Sequence, residues 1–290
     1  GNNKLTGINS YLDLQIGSAV LSKIYSYNLL ETRYSANESS QVIELVKEIN
    51  EIEINDDGKI LVNIKSNEEF ASFFLLYSQG KLFQEKDNLF RYMHHHYESV
   101  QNNAVWNSFF TMPSGTYTKL PYSIEPYTVD GYGFSLHHSS KKEMFSWFME
   151  TKERFFLDFQ INAILQAYIY QKTINGVFLT PYTSTWLKKD TGITAPYIDT
   201  RLNETFILML EDFLPYSPFW GKIEPLSEYL NFLYKVYIED QRIYHLGKGV
   251  FFADYFSIKS LSISHSSLNH QLGVALLFSR AYLQYNNKKY

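Results

Sequence analysis

The chain of 290 residues contains no cysteine. That absence excludes disulfides, thiolate metal sites and cysteine nucleophiles together, and it fits an extracytoplasmic bacterial protein that does not rely on disulfides. An excess of one charge is missing too. The 26 basic residues nearly balance 30 acidic ones for a net charge of −4, with no long run of Lys or Arg, so nucleic acid is not an expected partner. No apolar stretch reaches the roughly 18 residues of a membrane helix, so no membrane span is expected. The polar start at Asn2 fits removal of a signal or anchor upstream. Neither a G-x-S-x-G elbow, nor a P-loop, nor a GxGxxG turn occurs, which removes the common nucleophile and nucleotide cradles; no cofactor is expected.

What the chain does have is apolar and aromatic mass. Hydrophobic residues make up 45% and charged residues 19%, far from the polar composition that keeps a chain disordered. Aromatics reach 17%, with 24 Tyr and 22 Phe against 4 Trp. Tyrosine offers a flat apolar face and a polar tip, which suits ligands such as sugars, although most such rings fill cores.

Hydrophobic spacing predicts helices over Leu12–Leu30 and Ser39–Ile49, the second through Val42, Leu45, Val46 and Ile49. The period then changes to two at Ile52 and Ile54 and at Ile60, Val62 and Ile64, around Asp57-Gly58, which predicts a β-hairpin. A Ser66/Glu69 capping box introduces a helix with Phe70, Phe73, Phe74 and Tyr77. Further helices are predicted over about Glu85–Val100, Lys141–Gln171 (one long or two with a bend), Thr200–Phe213, Pro225–Gln241 and Ser266–Tyr285. The last carries the stripe Leu268, Leu272, Ala275, Leu276, Ser279, Tyr282 and Leu283. Long loops cover Met112–Gly133 and Leu179–Tyr197. The expected fold is mainly α, with helical hairpins in an α/α toroid-like arrangement, as a single domain over 1–290 with a β-hairpin appendage at about 51–64.

Three constellations bear on chemistry. His94, His95 and His96 are consecutive, and helical side chains diverge by about 100° per residue, so they are badly placed for one ion; no HExxH pattern accompanies them. The same holds for His137-His138, and no metal is expected. The second constellation runs from Tyr182 and Trp186 to Tyr197, Asp199, Arg201, Asn203 and Glu204, at the entry to a helix. One account is a capping Asp199 or Thr200 with a surface ion pair of Arg201 and Glu204. The other is the rim of a sugar cleft, with Tyr182, Trp186 and Tyr197 stacking on a ring, Arg201 and Asn203 binding an acidic group, and Asp199 or Glu204 moving protons. In the third, His265, Asn269 and His270 crowd the positive start of the last helix, where anions are favoured, beneath a Ser266/Ser267 cap.

The ITAPYIDTRLNE loop and the HSSLNHQLGVALLFSRAYLQY helix resemble the final hairpins of α/α-toroid carbohydrate-active enzymes, loosely the C-terminal domain of glucuronyl C5-epimerases. The Gly-Trp-Tyr-Ser and Ala-Gln-Gly signatures of such an epimerase are absent. The resemblance implies a secreted or cell-surface protein acting on an acidic, uronate-containing polysaccharide by epimerase- or lyase-type proton abstraction. Tyr197, Asp199, Glu204 and His270 would then be catalytic, and Tyr182, Trp186, Arg201, Asn203 and His265 would bind substrate. A hydrolase pairing Asp199 with Glu204 or Glu125, a non-catalytic glycan or envelope binder, and a structural protein whose aromatics are all core stand as alternatives.

Overall fold

The computed structural model describes residues 9–22, 24–35, 38–49, 52–54, 59–63, 70–73, 75–101, 110–112, 115–117, 124–125, 136, 143–170, 173–216 and 223–285. The chain divides into two compact units, Gly1–Tyr122 with Glu143–Ala163, and Ser123–Lys142 with Ile164–Tyr290.

The first unit is where the helical expectation fails. Its strands are β1 (Asn9–Leu14), β2 (Gly17–Ser22), β3 (Ile24–Ser35), β4 (Glu38–Ile49), β5 (Ile52–Ile54), β6 (Ile60–Val62), β7 (Phe70–Ser72), β8 (Leu75–Ser78), β9 (Phe110–Met112) and β10 (Gly115–Tyr117); its helices are α1 (Lys86–Gln101), α2 (Glu143–Thr151) and the start of α3 (Arg154–Tyr170). Antiparallel pairing gives the orders β1-β2-β8 and β4-β3-β7, with β5-β6 and β9-β10 as two-stranded pairs.

Segments 12–30, 39–49 and 66–77 thus supply strands rather than helices. They combine Val, Ile, Tyr and Phe with repeated Ser residues, a mixture that favours a pleat over a helix. The twelve-residue β3 and β4 also find each other across a short connection, and such a pairing overrides the 3.6-residue spacing that Val42, Leu45, Val46 and Ile49 show. At Gly17 the backbone sits at φ 151°, and a Cβ there would run into the Ser78 carbonyl. Glycine therefore lets β2 lie between β1 and β8. The alternation at 52–54 and 60–62 does form paired strands, while the Asp57-Gly58 turn, the Ser66/Glu69 capping box and His137-His138 lie outside the described residues.

The core of this unit gathers Val20, Leu76, Leu82, Phe83, Tyr92, Met93, Met144, Phe155, Phe156 and Phe159. Phe83 stacks on Phe155 at 4.8 Å, and Phe156 meets both edge-on. Between α2 and α3 the chain breaks at Lys152, φ 60°. Next to that break Glu153, only 2% exposed, accepts hydrogen bonds from the Gln84 and Glu85 amides (2.6 and 2.9 Å) and from Asn88 (2.8 Å). A carboxylate brought from far along the chain thus caps the start of α1, where amides lack helical acceptors.

The second unit contains β11 (Ile124–Glu125), β12 (Thr173–Ile174), β13 (Val177–Phe178), β14 (Thr183–Ser184), α4 (Thr185–Thr191), β15 (Tyr197–Asp199), α5 (Thr200–Phe213), α6 (Pro225–Glu239), β16 (Ile243–Leu246), β17 (Gly249–Phe252), β18 (Tyr255–Ser257) and α7 (Leu268–Tyr285). Its strands form two-stranded pairs, β11-β14, β12-β13, β15-β18 and β16-β17. Helices α5, α6 and α7 pack together around Phe206, Ile207, Leu210, Tyr229, Leu233 and Leu277. Where α5 and α7 meet, a Cβ on Gly273 would collide with the Glu204 carboxylate, so glycine makes room there for a buried acid.

The chain as a whole is a mixture of helices with several small sheets, which corrects the mainly α, toroid-like expectation. Among the described residues no helix is long and apolar enough to cross a membrane.

Candidate active site

The candidate residues meet where β15 enters α5 and where the loop after β18 enters α7. Asp199 is the N-cap of α5, in extended backbone conformation, and its Oδ1 accepts the Leu202 amide at 3.0 Å. One strand over, Tyr255 lies opposite Asp199 in the β15-β18 register, which puts Asp254 at the mouth of the same pair. The Asp254 carbonyl accepts both the amide and the hydroxyl of Thr200, each at 3.0 Å.

Asp254 is the centre of the arrangement. Its side chain is 1% exposed and accepts the Ser267 amide at 2.9 Å and the Ser267 hydroxyl. His265 Nε2 stands 3.5 Å from one carboxylate oxygen, and His270 Nδ1 stands 3.7 Å from the other. A buried carboxylate is tolerated only where other partners replace its water; here the Ser267 amide and hydroxyl donate to it, with the two imidazoles close by.

The two histidines differ. His270 is buried and its Nδ1 lies 2.7 Å from the Thr200 hydroxyl. With that hydroxyl donating to the Asp254 carbonyl, its lone pair accepts from Nδ1–H, so the neutral ring keeps its proton on Nδ1. Burial holds the His270 pKa below its usual value, against the pull of Asp254. His265, by contrast, has 63% of its side chain exposed. It lies 6.3 Å from the Trp186 ring, and Trp186 in turn meets Tyr255 edge-on at 5.6 Å.

Aromatic rings continue inward from Tyr255 to Tyr197 (6.1 Å) and from Tyr197 to Tyr182 (6.4 Å), while Tyr255 also packs on His270 at 5.4 Å. Tyr197 belongs to a buried cluster with Leu187 and Ile193, and burial pushes its hydroxyl well above the usual tyrosine pKa. Burial raises Tyr255 likewise. Asp199 is lifted to about 7, chiefly by burial and further by Asp254, against the lowering effect of the Leu202 and Arg201 amides. Arg201 is exposed and donates to the Asn269 carbonyl at 3.2 Å.

The structure therefore brings together most of the residues named from the sequence, but divides them by access. Tyr197, Asp199, Glu204 and His270, the expected catalytic groups, are all buried. Trp186, Arg201 and His265, expected to bind substrate, are exposed, and Tyr182 is half-buried. Two roles change as a result. Tyr197 is a core ring with a strongly held proton, which unsuits it as a base at neutral pH. Asn203, fully buried, accepts the Phe178 amide (2.7 Å) and donates to the Phe178 and Asp199 carbonyls (2.9 and 2.8 Å). Its amide is committed to joining β13, β15 and α5, which makes it scaffold rather than a ligand contact. Arg201 and Glu204, three residues apart on α5, differ in access: Arg201 is exposed and Glu204 is buried against α7.

Sequence reading missed Asp254, whose signal was an acid inside the aromatic run Phe251-Phe252-Ala253-Asp254-Tyr255-Phe256; an acid in such a run is buried and needs partners. Among the described residues no group of three or more His, Asp or Glu is placed to hold a metal ion. The chain matches no family model, no curated protein and no solved structure.

Proposed function

We propose that the second unit binds an acidic, uronate-containing polysaccharide and abstracts a proton beside the sugar carboxylate, as an epimerase or lyase does. The supporting observation is the exposed imidazole of His265 held against the buried carboxylate of Asp254, with Trp186 on one side and Arg201 at the rim. A buried carboxylate that faces one imidazole nitrogen and holds the N–H there leaves the other nitrogen as a base. In this reading Asp254 faces Nε2 and Nδ1 takes the proton.

Trp186 and Tyr255 give a sugar ring an apolar face to lie on. The Arg201 guanidinium pairs with the uronate carboxylate and stabilises the charge that develops there as the neighbouring C–H proton leaves. For an epimerase a proton from solvent returns on the opposite face of the sugar ring. For a lyase the carbanion expels the glycosidic oxygen instead, and the departing alkoxide takes the proton that His265 removed. A chain without cysteine suits such work outside the cytoplasm.

The test is a panel of uronate polymers incubated with the protein in deuterium oxide. Deuterium incorporated next to the carboxylate supports the epimerase, and a new unsaturated uronate chromophore supports the lyase. New reducing ends without either would mean hydrolysis. Binding that survives His265→Gln, with no chemistry in the wild type, would mean a non-catalytic glycan-binding protein. No binding or chemistry on any uronate polymer would overturn the carbohydrate reading.

A further inference from the structure

We propose that the outer face of α7 pairs with the same face of a second copy of this chain, antiparallel, about a two-fold axis between Ala275 and Leu276. The proposal does not rest on the functional reading above. Helix α7 uses His270, Gly273, Val274, Leu277 and Ala281 to pack within its own unit. The stripe Leu268, Leu272, Ala275, Leu276, Ser279, Tyr282 and Leu283 therefore faces away. Leu268 is 71% exposed, Leu272 62%, Leu276 49%, Tyr282 47% and Leu283 81%. Four leucines and a tyrosine at helical spacing, with no charged residue among them, form a contiguous apolar surface of a size that marks an interaction site.

A second copy is favoured because the stripe complements itself under two-fold rotation. Residues related by a two-fold axis between 275 and 276 are 268 with 283, 272 with 279, and 275 with 276. An antiparallel pair then sets Leu268 against Leu283 of the partner subunit, Leu272 against the partner's Ser279, and Leu276 against the partner's Ala275. Large residues meet small ones at the middle, where helix axes come closest, and leucine meets leucine at the ends. This is the isologous pattern that closes a dimer.

The polar groups nearby allow such packing. The Ser279 hydroxyl donates to its own helix at Ala275 (2.8 Å), so burying it strands no donor. Arg280 beside the stripe is tied to Asp212 at 2.8 Å. The exposed apolar area comes to on the order of 500 Å² per copy, so a pair buries about 1,000 Å², the lower bound of a specific interface. The antiparallel direction has a further consequence. It lays the end of the partner's α7 beside Leu268, next to Asn269, whose carbonyl takes the Arg201 guanidinium, so each candidate site gains part of its rim from the other subunit.

Sedimentation of the intact chain at tens of micromolar should show a dimer. Leu276→Glu, which places two carboxylates at the axis, should give a monomer with unchanged circular dichroism and a thermal midpoint that no longer depends on protein concentration, whereas Leu246→Glu on the exposed β16-β17 hairpin should leave the dimer intact. Because the natural chain has no cysteine, register can be read by oxidation: Leu268→Cys mixed with Leu283→Cys should cross-link rapidly, and Leu268→Cys alone should not. A wild-type monomer at these concentrations, or a dimer that survives Leu276→Glu, would overturn the proposal. Self-cross-linking of Leu268→Cys as fast as the mixed pair would overturn the antiparallel register.

Discussion

Glu153 in the first unit and Asp254 in the second are the acids buried to within 2% exposure among the described residues, each beside the entrance to a helix, and they have different company. Glu153 in the first unit receives two backbone amides and an asparagine ahead of α1, close to the packed rings of Phe83 and Phe155. Asp254 in the second unit receives the Ser267 amide and hydroxyl ahead of α7, but it also lies beside two imidazoles, one of them open to solvent beside an exposed tryptophan. Burial alone therefore does not mark an acid as chemical. A carboxylate spent on backbone donors fixes architecture, and one shared with a titratable neighbour that solvent can reach is placed to move protons.

If that distinction holds, substitution should separate stability from activity. The largest loss of stability is expected for Glu153→Leu, which strands the Gln84 and Glu85 amides and the Asn88 side chain. A cost of about 3 kcal/mol follows from several donors losing one acceptor, to be measured by urea denaturation. Any polysaccharide activity that survives folding should be unchanged. An equal loss of activity in the folded fraction would erase the contrast between the two acids.

Asp254→Asn should show the opposite profile. Asparagine keeps an acceptor for the Ser267 amide but removes the negative charge that faces Nε2 of His265. A drop of roughly 100-fold in proton exchange, with stability within about 1.5 kcal/mol of the wild type, is the expected outcome. Should the asparagine variant unfold while Glu153→Leu stays folded, the architectural role would belong to Asp254 instead.

The pH dependence of stability sharpens the comparison further. Asp199, lifted from 3.8 to about 7 by burial, binds its proton more tightly folded than unfolded. Its contribution is thus fully present below pH 3.8 and declines as pH rises towards 7. His270, lowered by burial, acts in reverse, its contribution being lost as pH falls below about 6.5. Asparagine caps helices about as well as aspartate, so Asp199→Asn should remove only the first trend. Relative to the wild type it should gain about 1 kcal/mol or more above pH 7, with the gain fading near pH 4. A loss of stability at pH 8 would show instead that the chain relies on the ionised carboxylate.

Much of the second unit was legible in the sequence because local signals and tertiary packing agree there. Asp199 caps α5, Pro225 opens α6, and α7 begins directly after Ser267, as helix-start chemistry predicts. The first unit was misread because periodicity alone does not choose a partner: Val42, Leu45, Val46 and Ile49 suit a helix until β3 lies alongside. Within the site, the loop residues from Tyr182 to Glu204 were identifiable, but not their exposure. Tyr197 and Trp186 look alike in sequence, yet one packs on Leu187 and Ile193 and the other is 40% exposed. The stripe on α7 carries the same lesson, since a helix with apolar residues on two faces does not declare which one its own unit covers.

Arg201 is the smallest test and the one that most directly joins the exposed rim to the buried acid. It is exposed, and its guanidinium donates to the Asn269 carbonyl at 3.2 Å. Had it been the buried partner of a carboxylate, removing it would have left an uncompensated charge and cost several kcal/mol. In its exposed position Arg201→Ala should change stability by no more than about 0.5 kcal/mol. Its charge also favours ionised Asp199, so the same variant should move the Asp199 titration upward, because losing a nearby cation disfavours the carboxylate. Binding of uronate oligosaccharides should weaken roughly tenfold, the loss of one charged hydrogen bond to a sugar carboxylate, while a neutral oligosaccharide of equal length should bind as before. Equal weakening of acidic and neutral ligands would instead trace the effect to a distorted α7 entrance. No weakening of either would remove Arg201 from the ligand site and leave the Asp254–His265 pair without an anion partner.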